Sequence, residues 1–392
     1  MHLRLTEEQK MVQETIRKFV EKELIPLENE VLRNEIEGKP SLPVEKQEEL
    51  TRKAKESGFW GINTPAAYGG ADLGQMMQAI ITMEVSKTFV PFKFGGTADN
   101  ILYYANEEQT EKYLIPTING DKKSCFAMTE PGAGSDTQNI KMTAVRDGDD
   151  WILNGEKTFI TGGNEAEFVM VIAITDKKLH KKTNGREGVT CFIADRDMGW
   201  TSEYIYTMGE WGPASLFFDN TRVPEENILG ELHQGYQLGL EWIGFARWIV
   251  GARAVGSAER LLQMAIDYAN ERETFGRPIA DRQAIQWQIA DSAVEIEAAK
   301  WLVLNAAFTL DQGEDNRHLS SMAKLYGANM GNRVIDRVLQ IHGGMGYTRE
   351  LPIERWYREA RLWRIYDGTD EIQRLIISRN LIKDNVKIGQ YI

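Results

Sequence analysis

Trp151-Ile152-Leu153-Asn154-Gly155-Glu156-Lys157-Thr158-Phe159-Ile160 separates a β region from the helical chain on either side of it. Strand-forming residues flank an Asn-Gly pair. Asn-Gly is the strongest short hairpin signal, because both central positions of a type I′ turn need positive φ. The stretch predicts a β-hairpin turning at Asn154-Gly155. Period two and frequent turn signals continue from Ser124 to about residue 224. Phe168–Ile174, Val189–Ala194 and Ser215–Phe218 read as further strands. No helical segment alternates with them, which argues against a doubly wound parallel sheet and for an antiparallel barrel or sandwich.

On both sides the period changes to that of a helix. Residues 6 to about 38 predict a helix that starts at Thr6, ahead of Glu7 and Glu8, and bends or breaks at Pro26. Residues 43–57, 73–89 and about 97–119 predict three more. After Gly235, residues 236–272, 281–311 and 316–341 predict three long helices joined by short connections, as in an antiparallel bundle. Two shorter helices follow, on either side of Asp367. The expected domains are 1–123 helical, 124–234 β and 235–392 helix bundle.

The chain has 392 residues, a net charge of −12 and 27% charged residues. That balance argues against nucleic acid and anionic membranes as partners. Cys125 and Cys191 are the only cysteines, so neither a disulfide framework nor a thiolate metal site is expected. The five histidines lack zinc-site spacing. Met1 is followed by a charged amphipathic stretch rather than a signal peptide, and no run of about 18 apolar residues occurs. The expected compartment is the cytoplasm.

Four short stretches carry chemistry. In Ile365-Tyr366-Asp367-Gly368-Thr369-Asp370-Glu371, a carboxylate sits on a turn before a helix that Thr369 is placed to cap. Read alone, it is a capping cluster; read with the rest, a positioned general base. Thr129-Glu130-Pro131-Gly132-Ala133-Gly134-Ser135-Asp136 is a Gly-rich turn whose amides could cradle a phosphate or a polar cofactor edge. It is neither a dinucleotide fingerprint nor a P-loop. Arg272-Glu273-Thr274-Phe275-Gly276 offers a guanidinium for a pyrophosphate, or an ordinary surface arginine. Gln340-Ile341-His342-Gly343-Gly344 lets backbone approach a ligand, or simply ends a helix. His342 by itself reads as a structural histidine.

In this order, over Thr6 to about Ile382, these stretches resemble the acyl-CoA dehydrogenase family. The resemblance implies an N-terminal helical domain, a middle β domain, a C-terminal four-helix bundle and FAD. Phe126, Met128, Thr129, Gly134 and Ser135 would run along the isoalloxazine. Phe159, Ile160 and Thr161 would sit against its other side, with Phe159 where the family usually has Trp. Arg272, Thr274 and Phe275, with Gln340, Gly343 and Gly344, would reach the FAD of a neighbouring subunit, flanked by Arg282 and Gln283. Thr369 and Glu371 would contact the adenosine side, with Glu371 where Gln is common. Ser135 and Arg247 match positions that touch CoA. Gly244 replaces a frequent Asp, and Gly368 would line the thioester.

The resemblance also implies α,β-dehydrogenation of an acyl-CoA in a homotetramer, with electrons passed to an electron-transfer flavoprotein. Most members place a Glu base where this chain has Asp367. One methylene less shortens the reach by roughly 1.5 Å, and a misplacement near 1 Å can cost on the order of 10²-fold. Three readings follow: a compact, branched or cyclic acyl group presents its α carbon closer, the backbone shifts, or Asp367 is a weak base and another carboxylate acts. A minority of members carry the base one position before the matched arginine; here that residue is Ala246. Phe89, Phe92, Phe94, Trp242 and Trp248 suggest a compact acyl pocket. Lys93 could pair with a distal carboxylate. The alternatives are a nitroalkane oxidase-like flavin oxidase, an enoyl-CoA reductase running the reverse reaction, and an idle acyl-CoA-binding scaffold.

Overall fold

The computed structural model describes residues 5–209, 212–383 and 385–387. Helix α1 (Glu7–Phe19) opens on a capping box in which Thr6 Oγ1 accepts from the Gln9 N–H and the Gln9 side chain accepts from the Thr6 N–H. It continues through a π turn and a 3₁₀ turn at Pro26 into α2 (Glu28–Ile36), so the break expected at Pro26 is present. Helices α3 (Val44–Glu56) and α4 (Gly74–Val85) follow, the latter ending before residue 89. The single helix expected over 97–119 is not formed. A 3₁₀ turn, Asn100–Tyr104, comes first, and helix begins only after Asn106. Asn106 forms its own capping box with Gln109, which fixes the start at α5 (Glu107–Gln109). A π turn then leads into α6 (Ile115–Asn119).

The β region comprises β1 (Ser124–Ala127), β2 (Thr143–Asp147), β3 (Asp150–Ile160), β4 (Phe168–Ile174), a short α7 (Lys177–Lys182), β5 (Val189–Asp195), β6 (Thr201–Tyr204), β7 (Ala214–Pro224) and β8 (Ile228–Leu229). Then come α8 (Gly235–Glu271), the small ribbon β9 (Glu273–Thr274) and β10 (Arg277–Pro278), α9 (Gln283–Asp311), α10 (Arg317–His342), α11 (Ile353–Ala360) and α12 (Asp370–Ile382). The chain forms two compact units. One holds residues 1–59, 73–94 and 246–392; the other holds 60–72 and 95–245.

In the second unit the strand order is β6-β7-β3-β2-β4-β5-β8, with β1 also on β4. Two expectations are corrected here. First, Asn154-Gly155 is not a hairpin turn. Strand β3 runs through it, pairing with β2 on one edge and with β7 on the other, and the β7 register shifts between Leu153 and Gly155. Gly155 serves a close approach at this bulge: a Cβ there would lie 2.8 Å from Met142. The turn that does join β2 to β3 is Gly148-Asp149, with Gly148 at φ +67°. Second, β4 pairs in parallel with β1 and with the start of β2, so the sheet is mixed rather than wholly antiparallel. Strand β4 is buried along its whole length. Phe168, Met170 and Ile172 face one apolar cluster, and Val169, Val171 and Ala173 face another. A strand covered on both sides reads as a continuous apolar run, which is how it stood out in the sequence.

In the first unit, glycines set the helix spacing. Gly251 of α8 and Gly327 of α10 face each other so closely that a Cβ on Gly327 would sit 2.8 Å from the Gly251 Cα. A Cβ on Gly256 would fall 2.0 Å from the Met83 carbonyl oxygen. The buried Arg355 of α11 holds Glu35 through two hydrogen bonds, of 2.8 and 3.0 Å, which ties α2 to the bundle. Among the described residues, no helix is long and apolar enough to cross a membrane.

Candidate active site

The turn before α12 is built for strain. Asp367 has φ +52° and Gly368 φ +86°. A left-handed non-glycine residue is costly, about 1–3 kcal/mol, and persists only where its surroundings hold it. Three contacts hold this one. Lys324 Nζ, from α10, donates to the Gly368 carbonyl at 2.8 Å. Gln373 Nε2 donates to the carbonyls of Gly368, at 2.8 Å, and Asp367, at 3.2 Å. Thr369 Oγ1 accepts from the Ile372 N–H, so the cap expected from the sequence is made.

The charges around Asp367 are unusual. The residue is half-buried. Burial raises its carboxyl pKa above the usual range, opposed by Arg253, Lys324 and Arg247 in that order. Burial lowers the Lys324 pKa to about 8, although Asp370 and Asp367 pull the other way. Burial also lowers the pKa of Arg247, opposed by Asp367, and the Arg247 Nε is buried with no hydrogen-bond partner. Tyr366, next to the acid, is pushed up to about 12 by burial, and it hydrogen-bonds Arg253. Asp370 is accounted for separately, by Arg364 at 2.8 Å and Asn329 at 2.9 Å. Three cations therefore bear on a single carboxylate.

The Gly-rich turn lies in the other unit and is pinned from beneath. The buried Glu130 carboxylate accepts from the N–H groups of Lys141 and Met142 and from Lys157 Nζ, at 2.6, 3.0 and 2.8 Å. Lys157 also donates to the Met128 carbonyl, and the Thr158 N–H donates to that of Thr129. Phe126 and Met128 are buried, while Gly134 and Ser135 are exposed. A Cβ on Gly132, Gly134 or Gly244 would meet nothing within 4 Å. Phe126 stacks on Trp242, with centroids 4.6 Å apart, and Trp242 Nε1 donates to Asp99 at 3.0 Å.

Phe159 is the second strained residue. At φ +58° beside a register shift, its ring is 63% exposed, an outlier for a bulky side chain. Ile160 turns into the core and offers only backbone, whereas Thr161 is exposed.

The remaining candidates lie on exposed segments. Phe275 and Gly276 both have positive φ and form the two-residue turn of the β9–β10 ribbon. Phe275 is 98% exposed there, with the Arg282 guanidinium 5.6 Å from its ring centroid. Arg272, Gln283, Gln340, Gly343, Gly344 and Glu371 are exposed, and Thr274 is half-buried. His342 is structural, as its isolation suggested: it is buried, its Nδ1 lies 2.8 Å from the Val338 carbonyl, and it stacks on Tyr268. Phe89 packs on Trp356, and Phe92 and Phe94 pack on Phe19, which makes them core residues of their unit. Trp248 is fully buried and Lys93 is exposed. The side chain of Ala246 lies outside the described residues.

Sequence reading missed Arg253, Lys324, Tyr366 and Gln373. Lys324 and Arg253 each sit on an apolar stretch of a long helix, and that was the signal available. Lys324 is fully buried, and a lysine on a buried face needs a partner; Arg253 is exposed.

The chain thus carries a strained acid at the head of a bundle helix and, in its other unit, a pinned Gly-rich turn, and the family matched by all three of its parts is one of oxidoreductases. Family models for acyl-CoA dehydrogenase match the chain at residues 6–121 (N-terminal domain), 125–220 (middle domain) and 233–382 (C-terminal domain). The chain belongs to the acyl-CoA dehydrogenase family, whose members are FAD-dependent. It is 38% identical to the caffeyl-CoA reductase-Etf complex subunit CarC of Acetobacterium woodii, over 96% of this chain and 99% of that one. It is 37% identical to (R)-benzylsuccinyl-CoA dehydrogenase of Thauera aromatica, over 98% of each chain. The solved structure of butyryl-CoA dehydrogenase from Megasphaera elsdenii superposes with a TM-score of 0.85 at 30% identity, covering 97% of this chain and 100% of that one. The family resemblance drawn from the motifs is correct.

The residues fit the cofactor. The open space over Gly132 and Gly134, the outward ring of Phe159 and the exposed Ser135 and Thr161 suit a flat, polar-edged ring system. Phe126, Met128, Thr129, Gly134, Ser135, Phe159 and Thr161 are the residues that would hold it on this unit.

Proposed function

We propose that this enzyme catalyses α,β-dehydrogenation of an acyl-CoA thioester, with Asp367 as the base. When bound, FAD supplies the hydride acceptor. Asp367 takes the proton α to the thioester carbonyl, and its raised pKa brings its basicity closer to the task. Its positive φ turns the backbone so that the Asp367 N–H can serve as donor to the thioester oxygen, where charge develops. Arg247, with its unpartnered Nε, binds the CoA portion, Ser135 is assigned to the same portion by the family match, and Gly368 leaves room for the thioester. The observation that carries this reading is a strained Asp367 held by Lys324 and Gln373 and facing three cations.

Electrons pass to an electron-transfer flavoprotein; the similarity to a subunit of a caffeyl-CoA reductase-Etf complex supports this acceptor. The working state is a homotetramer in the cytoplasm. Exposed Phe275, Trp287, Val294 and Tyr347 supply apolar surface for subunit contacts. The test is Asp367→Asn. It should retain FAD yet lose exchange of the substrate α-proton with deuterated solvent by at least 10³-fold, and retained exchange would assign the base elsewhere.

One observation favours a second reading, reduction of an enoyl-CoA by the same groups in reverse. The relative from Acetobacterium woodii is named a reductase. Comparing kcat/KM for acyl-CoA oxidation by an oxidised electron-transfer flavoprotein with that for enoyl-CoA reduction by a reduced one separates the two readings.

A further inference from the structure

Arg253 is the strongest unassigned charge near the acid. It lies on α8, six residues beyond Arg247, which is about 9 Å along the helix axis. Its partner is the Tyr366 side chain, and it acts electrostatically on Asp367, the next residue. Burial works against its charge, Tyr366 and Asp367 more than offset that, and the net shift is upward. It forms no ion pair with a carboxylate among the described residues. Glu359, the other acid acting on it, is engaged with Arg355 at 2.8 Å. Arg253 nevertheless keeps accessible surface. An exposed guanidinium whose hydrogen-bond partner is a phenol retains donors for a planar anion.

The position indicates which anion. If Arg247 binds the CoA end and Asp367 meets the α carbon, the acyl chain continues from the acid. Arg253 lies six residues, about 1.7 turns, past Arg247 on the same helix, and it is paired with the residue preceding the acid. We propose that Arg253 is a specificity residue that binds a carboxylate at the far end of the acyl group, so that the preferred substrate is the CoA half-thioester of a short dicarboxylic acid. This rests on the assignment of Asp367 as base. It gives the acyl-end role to Arg253, which is paired with the residue preceding the acid, instead of Lys93. The shortened acid suits it too, since a tail held by its charged end draws the α carbon to a fixed place.

The experiment uses the FAD-loaded enzyme and two CoA thioesters of equal chain length, one ending in methyl and one in carboxylate. The parent should reduce its flavin with the carboxylate-ended thioester at a higher kcat/KM. In Arg253→Met the ratio of the two kcat/KM values should fall about 10²-fold, mostly through KM, and Arg253→Lys should recover part of it. Calorimetric binding of the same two thioesters to Asp367→Asn, with and without Arg253→Met, reads the contact without turnover. Equal losses on both thioesters would make Arg253 a support for the turn and overturn the proposal. So would a parent that prefers the methyl-ended thioester. Turnover of neither, with binding selectivity intact, would instead sink the assignment of Asp367 and leave Arg253 standing.

Discussion

Lys324 Nζ donates to the carbonyl of Gly368 at 2.8 Å, one residue past the acid that the rest of the site surrounds. The lysine is fully buried and bears on Asp367 and Asp370 at once. It therefore fixes the backbone of the turn and sets part of the field on the base.

Lys324→Met should move the acid limb of the kcat/KM profile to higher pH, because the cation lowers the Asp367 pKa and its removal lets that value rise. Steady-state rates across pH check this. The folded Lys324 titrates near 8, against 10.5 in an ordinary setting. Between those values the unfolded chain binds more protons, so this residue makes stability increase as pH rises. Denaturant midpoints should lose that increment in the variant.

Lys157→Met should destabilise the protein by about 3–5 kcal/mol, because it strands a buried Glu130 carboxylate. It also frees the Met128 carbonyl under the Gly-rich turn, so FAD should leave faster on dilution. Adding Glu130→Gln, which removes the stranded charge and keeps an acceptor for the Lys141 and Met142 N–H groups, should recover part of the stability, read by thermal unfolding.

Phe159→Gly should relieve the left-handed backbone and remove the exposed ring together. Unfolding should cost up to about 1 kcal/mol more, or stay unchanged, while FAD retention weakens at least tenfold. Phe159→Trp should bind FAD at least as well as the parent.

Gly256→Ala should lower stability by about 1–3 kcal/mol, since its methyl group would meet the Met83 carbonyl at 2.0 Å and a backbone atom cannot rotate away. The melting temperature checks it. Flavin content at low temperature should be normal.

The sequence carried the helices through their period and caps, as at Thr6 and Thr369, where a side-chain oxygen and a run of apolar spacing agree. It carried β4 through composition alone. It misled at Asn154-Gly155, because the same glycine suits a turn and a bulge, and the choice depended on Met142, thirteen residues from that glycine in sequence. It misled at 97–107, where Asn106 capped a helix inside a stretch that looked continuous. The acid itself was legible because it sits in a compact motif with its cap. Arg253 and Lys324 were not, because each lies far along the chain from Asp367 and meets it only through the packing of α8, α10 and the turn before α12.

The Gly251–Gly327 contact gives that packing a practical meaning. Two residues without side chains govern how far apart the neighbouring guanidinium groups and the ammonium stand, so the acidity of the base can be retuned without altering any ionisable residue. Engineers seeking a shifted pH optimum would do well to begin at this bare crossing of helices, and natural variants that differ there can differ in proton chemistry while every charged position stays the same.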